Sequence, residues 1–132
     1  MTVLKKKTRR IIVGEKEYLY LIKQEYRQNS SNISLKIFLK GLKNLTCTFL
    51  FCTWDDPITG SPLLVGVDLK NKETNNTENY NLHYPRTIRD FILYGLENGW
   101  TGENIIEFQD GLYIISEMGY DISWLKPEKR LG

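Results

Sequence analysis

The chain is poor in the residues that most enzyme chemistry needs. Its 132 residues include one histidine, His83, and two cysteines, Cys47 and Cys52. The cysteines stand five apart, so they form no Cys-x-x-Cys redox or zinc motif. An odd offset within one expected strand puts them on opposite faces. Two buried, unbonded thiols in a reducing compartment are expected. No window approaches the ~20 apolar residues of a membrane span. A secretory signal needs an unbroken apolar run of about 7–15 residues; here Ile11-Ile12-Val13 is cut off by Gly14-Glu15-Lys16-Glu17. The expectation is a soluble, cytoplasmic protein without membrane association. Neither sign of charge is in large excess: the net charge is +2, whereas nucleic-acid binders carry a strong basic surplus. Gly-x-Ser-x-Gly and the phosphate-cradling P-loop pattern are both missing, which leaves serine-triad hydrolysis without support. No catalytic set, metal site or cofactor is expected from these residues.

Apolar residues make up 41% of the chain, and the aromatic set is generous: Trp54, Trp100 and Trp124, with eight Tyr and five Phe. Disordered chains are poor in such residues. At this length a single domain is expected, and folding removes roughly two-thirds of the unfolded surface from water. Residues 1–8 and 125–132 read as frayed ends.

Short strands dominate the first half. Residues 9–13 and 18–23 suit a hairpin around Gly14, whose freedom at positive φ fits a tight turn. Tyr18, Tyr20 and Ile22 share one face of the second strand. Residues 24–32 read as a polar connection. Ile33, Leu35, Ile37 and Leu39 then alternate with Ser34, Lys36 and Lys40, the period-two signature of a half-buried strand. Phe38 breaks the pattern and is expected to be exposed or under a loop. Strands are expected at 46–53 and 63–69, with a surface loop over 70–79 and a last short strand at 80–83. Consecutive strands joined by short turns suggest a meander.

The clearest element runs from Tyr84 to Trp100. Pro85 suits a first helical position, and Thr87 with Asp90 offers a second start close to a capping box. Ile88, Phe91, Ile92 and Leu96 line one face, with Gly95 among them. An internal glycine costs about 1 kcal/mol relative to Ala, tolerable if the helix must come close to the sheet there. Arg86, Arg89, Asp90 and Glu97 fall on the solvent side. Gly99 ends the helix in the left-handed region, and Trp100 is expected to fold back on the last turn. Residues 104–108 read as a strand. Beyond it, Asp110-Gly111 either turns a hairpin or caps a short helix with Leu112, Ile115 and Met118 inward and Gly119 at its end. Gly119-Tyr120 echoes Gly99-Trp100 and favours the helix. The expected fold is α+β: an antiparallel meander of four to five strands packed by one main helix at about 85–98, plus a short C-terminal strand and helix or hairpin.

The helix resembles the signature of an uncharacterised family of small bacterial proteins. That signature is Thr-Pro-x-x-Val-Arg-x-x-Ile-x-x-Ala-x-x-x-Gly-Trp. Pro85, Ile88, Arg89, Ile92, Gly95, Gly99 and Trp100 match it, whereas Tyr84 replaces the Thr. The hairpin from Arg9 to Tyr20 is similar to the start of that family. The resemblance implies a β-meander followed by a helix, and it implies no activity.

Three functional expectations follow. The first is a non-enzymatic protein-interaction module, immunity- or adaptor-like. Its contact surface would draw on Trp54, Asp55, Asp56, Arg86 and Arg89; whether Trp54 and Trp100 are core or contact residues is left open. The second is a nucleic-acid-associated protein using the basic residues Lys5, Lys6, Lys7, Arg9 and Arg10 with Arg86 and Arg89. Such binding falls steeply with salt. The third is a metal-dependent enzyme built on Asp55, Asp56 and His83, since adjacent carboxylates suit a hard cation.

Overall fold

Strand alternation and hairpin turns dictate most of the larger sheet. In this computed structural model, which describes residues 8–27, 30–55, 58 and 60–127, the sheet has five strands in the order β1-β2-β3-β4-β7. These are β1 (Arg9–Val13), β2 (Lys16–Arg27), β3 (Ser30–Leu39), β4 (Cys47–Trp54) and β7 (Ile106–Phe108). The first four form an antiparallel meander, and β7 adds parallel to β4. A parallel neighbour needs a long crossover. That crossover holds helix α1 (Pro62–Val65), a two-stranded sheet of β5 (Val67–Lys70) and β6 (Thr77–Tyr80), and helix α2 (Pro85–Glu97). Helix α3 (Gly111–Glu117) follows β7.

The alternation sorts side chains as expected along β3. Ile33, Leu35 and Ile37 are at most 1% exposed and face the core with Tyr18, Tyr20, Cys47, Phe49 and Phe51. Helix α2 lies on this inner face. Phe91 meets Phe49 and Phe51 edge-on at 4.8 and 5.5 Å, and Phe108 stacks on Phe49 at 4.9 Å. Tyr94 Oη donates to Glu117 at 3.2 Å, which ties α2 to α3.

Both helix ends follow their sequence signals. Pro85 is the first residue of α2, and Tyr84 caps it without a side-chain bond. Gly99 has φ 117°, and Trp100 N–H donates to Gly95 O at 2.8 Å. The Trp100 ring is 1% exposed, sits 5.8 Å from Tyr18 and donates to Asn104 O at 3.0 Å. Trp100 is therefore a core residue. The ambiguous segment after β7 is a helix: Asp110 caps it by accepting from Tyr113 N–H at 3.1 Å. Leu112 and Ile115 are buried as expected, while Met118 is half-buried.

Several expectations are corrected. Residues 24–27 and 30–32 are strand rather than connection, because the β2–β3 ladder runs on to Arg27↔Ser30, and backbone pairing needs no apolar side chains. Residues 63–65 are helical rather than extended: Ser61 accepts from Leu63 N–H, Pro62 occupies the first turn and Gly66 ends it at φ 105°. The strand expected at 80–83 is β6 instead. Asn81 Oδ1 takes the His83 N–H at 2.7 Å and bends the chain into a turn. Strands β5 and β6 pair apart from the meander. Cys52 is exposed, at the wall of a cleft it shares with Leu112, Tyr113 and Ser116 of α3. Phe38 is 8% exposed, opposite Leu19, whereas Leu96 is 38% exposed. Leu125, expected in a frayed end, is fully buried. Of the ends expected to fray, 1–7 and 128–132 lie outside the described residues.

Candidate functional site

The end of β4 gathers two of the expected contact residues. Thr53, Ser31 and Ser61 are buried there. Asp55 accepts a hydrogen bond from Ser31 Oγ and another from Gln24 Nε2 at 3.4 Å. Thr53 and Ser61 share a hydroxyl bond of 2.7 Å. Both Asp55 bonds fall on Oδ1 and tie the end of β4 to β2 and β3. The half-buried Trp54 meets the Trp124 ring edge-on at 5.9 Å and donates to Trp124 O at 2.7 Å. Trp54 therefore holds the C-terminal segment; Trp124 itself is 52% exposed. Asp56 lies outside the described residues.

The other expected residues sit elsewhere. Arg86 and Arg89 are exposed in the opening turns of α2. The Arg86 guanidinium lies 5.4 Å from the Tyr84 ring centre and donates to Asn79 O at 3.4 Å. His83 is exposed in the turn ahead of α2, whereas Asp55 ends β4. Among the described residues no three His, Cys, Asp or Glu side chains converge to hold a metal ion. Of the basic N-terminal residues, Lys5, Lys6 and Lys7 lie outside the described residues; Arg10 pairs with Glu17 at 3.6 Å.

Buried titratable groups are held in their protonated forms. Burial pushes the Cys47 thiol up to about 12 and the Tyr80 hydroxyl well above the phenol range. Tyr80 packs edge-on against Tyr120 at 5.1 Å, and its hydroxyl has no hydrogen-bond partner among the described residues. Tyr120 donates to Glu78 at 2.8 Å and is raised to about 12, first by burial and then by that bond. A neutral thiol or phenol is a poor nucleophile.

The less obvious surface is the outer face of the larger sheet. The register sets its rows: Lys23–Ser34–Leu50 in one, and Leu21–Lys36–Thr48–Glu107 in the next. These side chains are exposed or half-buried, apart from Thr48 at 8%. Two concavities of about 420 and 450 Å³ lie along this face and share Lys23, Ser34 and Leu50 as walls. Together they make one trough, with Ile105 and Glu107 at its far rim. Lys23 and Lys36 are diagonal neighbours on adjacent strands, a placement with roughly 7–8 Å between positions. Among the described residues neither lysine has an ion-pair partner.

A larger cleft of about 550 Å³ lies beside α3, but its polar groups serve the fold. Lys72 donates to Ser116, Asp110 caps α3, and Asp121 accepts from the Ser123 N–H and hydroxyl. Those two bonds hold the Asp121 carboxyl below the usual range.

Alternation along 33–40 was enough to assign Lys36 to the polar side. Nothing in the sequence placed Lys23 beside it, because that depends on the β2–β3 register. Comparison with protein-family models, curated proteins and solved structures finds no match to this chain.

Proposed function

We propose that the protein is a non-enzymatic protein-interaction module, immunity- or adaptor-like, that docks a partner on the outer face of its larger sheet. One observation carries this reading: α2 packs on the inner face, and the opposite face holds a trough with no helix over it among the described residues. An antiparallel sheet tolerates one wet face. A concave, partly apolar wet face is a surface that a partner can fill. The resemblance of the α2 segment to the bacterial family supports a bacterial origin.

The reading moves the contact surface away from Trp54, Asp55, Arg86 and Arg89. The test is recovery of a stoichiometric partner by the tagged protein. Leu50→Arg should abolish recovery, and Arg89→Ala should leave it intact. Recovery that is lost with Arg89→Ala and kept with Leu50→Arg would return the interface to α2.

A further inference from the structure

We infer that Asn98 is a self-modification site: when the end of α2 opens, its side-chain amide is lost to attack by the Gly99 nitrogen, leaving aspartate or isoaspartate at position 98. Asparagine is among the thermolabile residues. Its amide is lost fastest where the next residue has no side chain to shield the attacking nitrogen. Of the ten asparagines only Asn98 precedes a glycine. Both residues are exposed, and the Gly99 N–H donates to no group among the described residues. In the reaction the Gly99 nitrogen gives up its proton and attacks Asn98 Cγ. A C–N bond forms, the Cγ–Nδ2 bond breaks, and Nδ2 leaves as ammonia with that proton. Water then opens the five-membered imide. Opening at Cγ gives aspartate, and opening at the backbone carbonyl gives isoaspartate.

The closed helix end restrains this step. The ring closes only when Asn98 Cβ and the Gly99 nitrogen eclipse about the Cα–C bond, and at ψ 28° they are far from eclipsed. Asn98 Nδ2 donates to Tyr94 O at 2.8 Å, Asn104 Nδ2 donates to Gly99 O at 2.9 Å, and Trp100 N–H donates to Gly95 O at 2.8 Å. These bonds must give way before Asn98 turns. Helix ends open locally at far less cost than the whole fold, and Leu96, Glu97, Asn98 and Gly99 are all exposed. The buried Trp100 ring is the anchor that limits the opening. Conversion in turn weakens the closure. Either product lacks the amide that donates to Tyr94 O. Either adds a negative charge at the negative end of α2, beside Glu97. Isoaspartate also adds a carbon to the backbone between the helix and Trp100.

The test is incubation of the full chain in mildly alkaline buffer, folded and in concentrated urea, followed by peptide mapping with detection of the isoaspartyl linkage. In urea, position 98 should convert before any other asparagine. The folded chain should convert at the same position, severalfold more slowly. Urea added below the unfolding transition should leave the folded rate nearly unchanged, because a local opening exposes little surface. Asn98→Gln should lose the conversion, since its longer side chain cannot close the five-membered ring. The converted chain, separated by charge, should unfold at lower urea than the fresh one. Conversion led by another asparagine, or a folded chain that stays intact at position 98 while the unfolded chain converts, would overturn the inference. So would a folded rate equal to the unfolded rate, which would leave the helix end no restraining role. A folded rate that climbs steeply with low urea would assign the reaction to the globally unfolded chain and overturn the local opening.

Discussion

Gly95 is where α2 comes closest to the sheet. A Cβ built at that position would stand 2.8 Å from Cys47 Sγ and 3.8 Å from Phe49. The glycine therefore answers a packing demand, and its helix-propensity cost of about 1 kcal/mol is offset by the close approach it permits. Gly95→Ala should destabilise the fold by a net of about 1–2 kcal/mol, because the overlap outweighs the propensity gain. Cys47→Ala in the same chain should recover part of that loss, measured as a favourable coupling in a double-mutant cycle from urea titrations. Additive effects would mean that the sulfur yields freely. The sequence posed the question at this residue, since a glycine interrupts an apolar stripe; only the position of Cys47 on β4 answers it. Cys52 makes the complementary point. The odd offset from Cys47 is legible, but its exposure at the wall of a cleft depends on where α3 lies.

At the scale of elements, the two longer helices end in the same way. Trp100 N–H reaches Gly95 O after Gly99, and Tyr120 N–H reaches Ile115 O after Gly119. Both share the long bond of a Schellman closure, in which the left-handed glycine lets the next residue turn back onto the last turn, and α3 adds the second bond, Gly119 N–H to Ser116 O. That is why the Gly119-Tyr120 echo pointed to a helix at 111–117. The two closures differ in what the aromatic does next. Trp100 is buried against Tyr18, whereas Tyr120 is half-buried and bonded to Glu78. Trp100→Ala should therefore cost roughly 3–5 kcal/mol in an unfolding titration. A loss below about 0.5 kcal/mol, the range of ordinary surface substitutions, would mean that the ring adds nothing to the core. Local signals failed where two rules competed. The segment at 63–69 alternates like a strand, yet Ser61, Pro62 and Gly66 supply a helix start and stop within it. Residues 24–27 and 30–32 look like a connection because they are polar, yet the β2–β3 ladder pairs them.

For the whole molecule, the decisive feature is that the larger sheet has one dry face and one wet face. Leu35 is fully buried on the first, and Leu50 is half-buried on the second. Leu35→Ala should cost about 2–5 kcal/mol, and Leu50→Ala well under about 1 kcal/mol, both read from urea titrations. Comparable losses would mean that the outer face is part of the core. This asymmetry also separates the residues offered for function. Trp54 and Asp55 serve internal tethering, Arg86 and Arg89 sit on α2, and the trough falls on neither. The sequence by itself determined the α+β class, the alternation of β3 and the ends of α2, because periodicity, proline and glycine act over a few neighbouring residues; the burial of Trp100 needed the sheet beneath it. Tertiary structure alone decided the parallel placement of β7, the separate β5–β6 sheet and the meeting of Lys23 with Lys36. Those depend on strand register and on which face the crossover covers, and such long-range choices leave no mark on any single stretch of chain.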